Sequence, residues 1–284
     1  HQYEQLCKNN NLTDPKDMLR LSGFLHDLGV CLHFQDDSTL KHYVILKPEW
    51  ATTAVYKVLD NETIRKSLGR FSQEELADIW NNSKYSNMQD ELLRLMMRFK
   101  LCYEIPNRPG NYIAPQLLET SQPEYEYNKS NNLILRYKYE FMPKGIITRF
   151  IVETHDLIEQ QQLVWRNGVV LNKDETRAEV IENYNQREIK VRVSGSQKKV
   201  LLAVVNRELE KIHRSFERLE YQTLVPCNCE KCAGSENPNT YPLELLYKQL
   251  KAGVYEIRCE KNNFIEVDVR RLIEDVNLFS QGED

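Results

Sequence analysis

The stretch that decides the fold is FLHDLGVCLHFQDDSTLKHYVILKPEW, residues 24–50. Its first residues complete the apolar face of a helix, and Gly29 is well placed to end that helix. The short segments CLHF and YVIL flank the polar, turn-forming QDDST, which predicts a hairpin of two strands. Pro48 then opens the next helix, in the first turn where a backbone donor is not needed.

A similar pattern recurs downstream, which predicts that the first half of the chain is mainly helical. Asp14 is a candidate N-cap, and Ser72 with Glu75 has the spacing of a capping box. The segment MMRFKLCYEIPNRPGNYIAPQLL again passes from a helix into a hairpin. Two helices followed by a hairpin is the order of a winged helix, so residues 1–122 are predicted to hold two winged-helix-like units.

Residues 123–284 are predicted to form a second domain, which starts within the polar bridge ETSQPEYEYNKSNN. LILRYKYEF alternates apolar and polar residues like a half-buried strand, and LVWRNGVVLN, TRAEVIENY and EIKVRVSG predict an antiparallel meander. The apolar residues between 200 and 219 follow a helical period. The predicted fold class is therefore α+β, with a mainly helical, winged-helix-like N-terminal subdomain and a C-terminal antiparallel sheet with helices.

Composition narrows the range of partners. The formal net charge of −4 disfavours nucleic acid, whose phosphates attract basic surfaces. The longest strongly apolar run, VLLAVV, is far shorter than the ~20 residues that cross a bilayer, so no membrane partner is expected. The chain starts at His1 without a leader and carries solitary cysteines, which predicts a fragment of a longer, cytoplasmic polypeptide.

Several motifs, in their order along the chain, are similar to those of the COR domain of Roco proteins, and most of all to the bacterial members. They are LHDLGV, LHFQD, ILKPEW, YIAPQLL, LRYKYEFMPKGIITRFI and WRNG. COR follows a Ras-like GTPase called Roc. The resemblance implies a regulatory domain that couples self-association to the nucleotide state of that GTPase. It further implies that residues 1–122 face the GTPase and residues 123–284 form the dimer.

The resemblance also suggests which residues make these contacts. It places Tyr137, Tyr139, Phe141 and Pro143 at or near the GTPase, although the tyrosines would instead pack the sheet if they lie on its inner face. The turn at residues 33–37 is a second candidate, with a solvated hairpin tip as its alternative.

The predicted dimer surface lies in the second half of the chain. It comprises Val205, Leu209, Ile212, Phe216 and Tyr221. The alternative is that this helix face packs against its own sheet, which is the usual fate of an apolar helix face.

The chain lacks the sequence motifs of an enzyme. It has no GxxxxGK[ST] loop, so the chain itself is not expected to bind GTP, and it has no kinase signature. The parent polypeptide is expected to be a GTPase. The predicted partners are the preceding Roc domain and a second copy of the chain.

Four cysteines stand apart from the other three. Cys227, Cys229 and Cys232 lie within six residues, and Cys259 ends a predicted strand. Four thiolates are a typical ligand set of structural zinc. A disulfide is the competing account, although a C-x-C pair is difficult to bridge, and reduced, metal-free thiols remain a third. An alternative function follows from this cluster, a zinc-containing winged-helix module that recognises nucleic acid or a protein partner.

Overall fold

The computed structural model describes residues 2–82, 84–127, 132–233, 235 and 237–276. The chain divides into an N-terminal unit that ends at Leu117 and a C-terminal unit that starts at Leu118. Among the described residues, no helix is both long and apolar enough to cross a membrane.

The N-terminal unit is mainly helical. Its helices are α1 (Gln2–Asn9), α2 (Pro15–Asp27), α3 (Pro48–Leu59), α4 (Glu62–Lys66), α5 (Gln73–Ile79) and α6 (Gln89–Arg98). Its strands are β1 (Arg70–Ser72), β2 (Tyr103–Glu104) and β3 (Asn111–Ile113), which form an antiparallel sheet in the order β1-β3-β2.

Local hydrogen bonds set two of these helix starts, as the sequence predicts. The Asp14 carboxylate accepts from the Lys16 backbone N–H at 2.7 Å and caps α2. Ser72 and Glu75 form the reciprocal capping box of α5, which satisfies two backbone donors that the helix leaves free. With α5 and α6 lying between β1 and β2, the later part of the unit has the connectivity of a winged helix.

The hairpin predicted between residues 31 and 46 does not form. The two segments share only one antiparallel bridge, between Leu32 and Ile45. Asp37 is the physical reason, because its carboxylate accepts from the backbone N–H groups of Thr39 and Leu40 at 3.0 and 3.1 Å. These bonds wind the chain into a 3₁₀ turn over Leu40–His42, so the prediction of two winged-helix-like units is wrong for the first.

The C-terminal unit is built on a seven-stranded antiparallel sheet in the order β10-β9-β4-β8-β7-β6-β5. Its strands are β4 (Leu133–Tyr139), β5 (Val164–Trp165), β6 (Gly168–Lys173), β7 (Thr176–Asn183), β8 (Glu188–Ser194), β9 (Tyr221–Pro226) and β10 (Thr240–Pro242). A separate hairpin pairs β11 (Glu256–Cys259) with β12 (Ile265–Asp268). The helices are α7 (Ile146–Glu153), α8 (Lys198–Arg214), α9 (Leu243–Lys251) and α10 (Val269–Val276).

The meander predicted from the alternating segments is confirmed, and α7 and α8 cover one face of it. Along β8, Ile189, Val191 and Val193 are fully buried, as the period of two predicts. The tight turn between β5 and β6 needs Gly168, because a Cβ there would lie 2.3 Å from the Trp165 ring. Helix α8 ends five residues earlier than the apolar period predicts.

Candidate metal centre and contact surfaces

The first three cysteines follow the end of β9. The Cys227 backbone N–H donates to the Asn239 carbonyl at 2.7 Å, which continues the pairing of β9 with β10 by one more residue. The chain then turns, because the Cys232 and Ala233 N–H groups both donate to the Cys229 carbonyl, at 2.9 and 2.8 Å. This turn brings the three thiols together.

Cys259, the last residue of β11, completes the cluster from a distant part of the sequence. All four Sγ atoms lie within 4.8 Å of one another. Cys259 Sγ is 3.7 Å from Cys229 Sγ and 3.6 Å from Cys232 Sγ. A tetrahedral metal with bonds of ~2.3 Å places its sulfur ligands about 3.8 Å apart. The sulfur atoms are thus spaced for a shared ion and are too far apart for a disulfide, which joins its sulfurs at ~2.05 Å.

The thiols are enclosed and receive hydrogen bonds that favour negative charge. All four cysteines are buried. The Asn239 N–H donates to Cys232 Sγ at 3.4 Å, and the Asn262 side-chain amide donates to Cys229 Sγ at 3.7 Å. Such donors stabilise a thiolate more than a thiol.

Burial and hydrogen bonding have opposite effects on the thiol pKa values. Burial raises the pKa of Cys227 to about 12. Burial also acts on Cys229, but donors that include the Cys232 backbone N–H and the neighbouring thiols outweigh it, so the pKa of Cys229 falls to about 7. A bound metal would displace the remaining protons, because thiolates are the ligating form.

The ligand set indicates the class of metal that the cluster could hold. Four sulfur ligands suit Zn²⁺ and other thiophilic ions, whereas Mg²⁺ and Ca²⁺ take oxygen ligands. A closed set of four cysteines leaves no position for a substrate, so it is a structural type of site rather than a catalytic one.

The tyrosines predicted to face the GTPase lie inside the C-terminal unit. Tyr137 and Tyr139 are 1% and 2% exposed. Their hydroxyls bond to Asn206 and to His213 Nε2, the latter at 2.7 Å. Both rings pack against His213 and Tyr221, which corresponds to the alternative in which the strand face is core. The interface role of these two residues stays a prediction.

The other two residues of that set have accessible side chains. Phe141, just after β4, is 74% exposed, and Pro143 is partly exposed. In the second predicted candidate, residues 33–37, His33 and Asp37 are buried, and Asp37 pairs with Arg94 at 2.8 Å.

The residues predicted to form the dimer surface are of two kinds. Val205, Leu209 and Ile212 are at most 4% exposed and lie on the buried face of α8. Phe216 and Tyr221 are partly exposed, and the Arg149 guanidinium lies over the Phe216 ring at 4.9 Å. A direct contact with a second copy is therefore open to Phe216 and Tyr221, and their role stays a prediction.

An exposed apolar surface that is not among the predicted sites lies along α2. Helix α2 buries Met18 and Ser22, while Leu21, Phe24 and Leu28 are 37%, 62% and 61% exposed. Periodicity identifies an apolar helix face but carries no information about whether the same unit covers it.

Family models match nearly all of the chain. The model described as "C-terminal of Roc, COR-A domain" matches residues 1–118, and the one described as "C-terminal of Roc, COR-B domain" matches residues 130–275. The chain belongs to the COR family of Roco proteins. The resemblance read from the sequence is thus confirmed, and COR itself is a non-catalytic domain found beside a Roc GTPase.

The chain matches short parts of much longer proteins. A Roc-COR-CHAT protease from Runella zeae is 30% identical over 192 residues, which is 66% of this chain and 20% of that protein. The probable serine/threonine-protein kinase pats1 of Dictyostelium discoideum is 25% identical over 266 residues, 87% of this chain and 8% of that protein. The chain thus spans a fifth or less of these two relatives.

Among solved structures, RocCORdC of Methanosarcina barkeri Roco2, bound to GDP, is 31% identical to this chain. The match covers 41% of this chain and 37% of that one, with a TM-score of 0.36.

Proposed function

We propose that this COR domain is a regulatory and dimerisation module that couples self-association to the nucleotide state of an adjacent Roc GTPase in the same polypeptide. The observation that carries the proposal is the match of both COR halves over nearly the whole chain. The parent protein is then a cytoplasmic GTPase, and the chain itself contributes no catalytic group and binds no GTP.

Coupling of this kind is reciprocal. If nucleotide bound to the GTPase changes the affinity of one copy of the protein for another, self-association must change the affinity for that nucleotide by the same factor. The fold suits such a role because each unit has its own core and leaves different side chains accessible. Residues 1–122 are proposed to face the GTPase and residues 123–284 to form the dimer.

The GTPase contact has two accessible candidates, one in each unit. Leu21 and Phe24 on α2, with Leu28 at the C-terminal end of this helix, form an exposed apolar stripe. In the C-terminal unit, Phe141 follows the strand that holds Tyr137 and Tyr139. Exposed apolar side chains grouped in this way often mark interaction sites.

Replacing Phe141 by serine is expected to weaken binding of the separately produced Roc domain at least tenfold, because an exposed ring at an interface loses its buried area. Isothermal titration calorimetry measures the affinity. The matched control is Phe264→Ser, since Phe264 is 61% exposed on the β11–β12 hairpin of the same unit. Equal affinities for both variants and the unchanged chain would place Phe141 outside the interface.

Replacing Phe216 by aspartate is expected to raise the dimer dissociation constant at least tenfold, because a charge would be buried against the second copy. Sedimentation velocity at high micromolar concentration measures the mass. Val200→Asp is the control, because Val200 is 55% exposed on α8 and lies outside the proposed surface. A monomeric unchanged chain at that concentration would reject self-association through this domain alone.

For the four-cysteine cluster, zinc is the proposed cofactor, in a structural role. Cys227, Cys229, Cys232 and Cys259 supply four sulfur ligands at suitable spacing. One equivalent of zinc per chain is the expected result of elemental analysis on protein prepared without chelators.

Nucleic-acid recognition receives less support than the regulatory role. Helix α5 exposes Glu74 and Asp78, and the two arginines of α6 are paired. Arg94 contacts Asp37 at 2.8 Å and Arg98 contacts Asp36 at 2.8 Å. A phosphate-binding helix needs unpaired basic side chains, so neither nucleic acid nor a membrane is among the proposed partners.

A further inference from the structure

Two segments around the cysteine cluster contain very few buried apolar side chains. We call residues 227–240 the knuckle and residues 256–268, which contain β11 and β12, the hairpin. Among the described residues of the knuckle, the buried ones are its three cysteines and Pro238. A loop of this length with so little apolar burial gains little free energy from the hydrophobic effect.

The hairpin likewise buries few apolar side chains. Of the eight residues in β11 and β12, Cys259 and Val267 are buried. Phe264 and Ile265, its two large apolar residues nearest the turn, are 61% and 41% exposed. An isolated two-stranded hairpin is marginally stable in water, so an additional interaction must hold this one in place.

The cysteines join these two segments. Three ligands come from the knuckle, directly after β9 of the large sheet, and the fourth ends β11 of the hairpin. Polar bonds also join the two segments, such as the bond from the Lys261 ammonium to the Asn237 carbonyl at 2.6 Å and from the Asn262 side-chain amide to Cys229 Sγ at 3.7 Å.

We infer that one Zn²⁺ ion, bound by the four thiolates, takes the place of a hydrophobic core for the knuckle and the hairpin. The inference rests on the proposed zinc site and extends it. Removal of the ion releases both segments, whereas the seven-stranded sheet stays folded. Metal binding thus becomes the folding step of a small module at the end of the COR-B half, because its ligands are not held together in the unfolded segments.

The large sheet does not depend on the metal for its own stability. Leu135, Val180 and Val191 in its central strands are fully buried. Helix α10, which follows the hairpin, packs against α9 and the sheet and buries Leu272 and Ile273. The released region is therefore bounded on both sides by segments that have apolar cores.

Hydrogen exchange read by mass spectrometry tests the inference on the full chain. Zinc content is measured first, and exchange is then compared before and after chelation in the presence of a phosphine reductant, which prevents disulfides. We expect one zinc per chain, and at least a hundredfold faster exchange of the knuckle and hairpin amides after chelation. Peptides from β4, β7 and β8 keep their protection.

Two variants distinguish the effect of losing the ion from the effect of losing a buried thiol. Cys259→Ser removes one ligand and is expected to reproduce the exchange pattern of the chelated protein, with less than a tenth of the zinc. The control is Cys7→Ser, because Cys7 is a buried cysteine of the N-terminal unit and its loss leaves zinc content and hairpin exchange unchanged.

Each outcome bears on a different step. No stoichiometric zinc in the unchanged chain would reject the zinc site and the inference with it. Stoichiometric zinc, with unchanged hairpin exchange after its removal, would leave the site standing and overturn the inference. Loss of protection across β4, β7 and β8 would also overturn it, because the metal would then support the whole unit.

Discussion

Replacing Tyr137 by alanine is expected to lower the free energy of unfolding of the C-terminal unit by about 3–5 kcal/mol, the usual cost of removing a large buried aromatic side chain. Tyr137 is 1% exposed on the central strand β4. Its ring packs edge-on against His213, with centroids 5.5 Å apart, and against Tyr221 at 6.2 Å. Alanine would leave a cavity among these rings. Denaturant unfolding followed by circular dichroism measures the change.

The conservative variant Tyr137→Phe isolates the hydroxyl. It keeps the ring and removes the donor to Asn206 Oδ1, so the expected loss is about 1 kcal/mol, close to that of one buried hydrogen bond. The pair of variants also tests the predicted interface role. If Tyr137→Ala leaves stability within 1 kcal/mol of the unchanged chain yet abolishes Roc binding, Tyr137 acts at a surface and the packing described here is wrong.

Features encoded by neighbouring residues could be predicted from the sequence. Asp14 and Ser72 cap their helices through bonds that span two or three residues, and that chemistry is visible in the sequence. The alternation along β8 likewise specifies a half-buried strand. The cysteine cluster was predictable because thiols at this spacing have few other uses, and the structure places all four together.

Features that depend on distant residues could not be predicted. The segment of residues 31–46 has the composition of a hairpin, but Asp37 organises it as a turn, and Arg94, 57 residues away, pairs with that carboxylate. Side chains on α8 determine which face of β4 is core, since His213 and Asn206 receive the two tyrosine hydroxyls. Sequence motifs pointed to Tyr137 but could not distinguish packing from contact.

Acid is expected to destabilise the C-terminal unit through His213. Burial lowers the pKa of this imidazole from an ordinary value of 6.5 to about 4. In the described structure its Nδ1 is buried without a hydrogen-bond partner, while Nε2 bonds to the Tyr139 hydroxyl at 2.7 Å. Protonation would therefore place a positive charge in a buried site, and the nearby Tyr137 and Tyr221 rings offer no counter-ion.

The direction of the pH effect follows from linkage. Between about pH 4 and 6.5 the unfolded state binds the proton and the folded state does not, so the contribution of His213 is complete above pH 6.5 and is lost as the pH falls towards 4. At 1.36 kcal/mol per pKa unit the loss approaches about 3 kcal/mol.

Titration of Glu182 changes stability in the opposite direction. Burial raises the pKa of Glu182 to about 7, although a hydrogen bond from the Ile147 backbone acts in the opposite direction. The contribution of Glu182 to folding stability is therefore complete below pH 4.5 and is lost as the pH rises through 7.

The two contributions can be separated by substitution, because each titrates a different side chain. His213→Gln keeps an acceptor for Tyr139 and removes the titration, so its stability should fall less between pH 6.5 and 4 than that of the unchanged chain. Glu182→Gln should gain stability relative to the unchanged chain above pH 7 and not at pH 4. Denaturant midpoints measured across this range check both. Parallel curves for His213→Gln and the unchanged chain would mean that another group, such as a paired carboxylate, dominates acid unfolding.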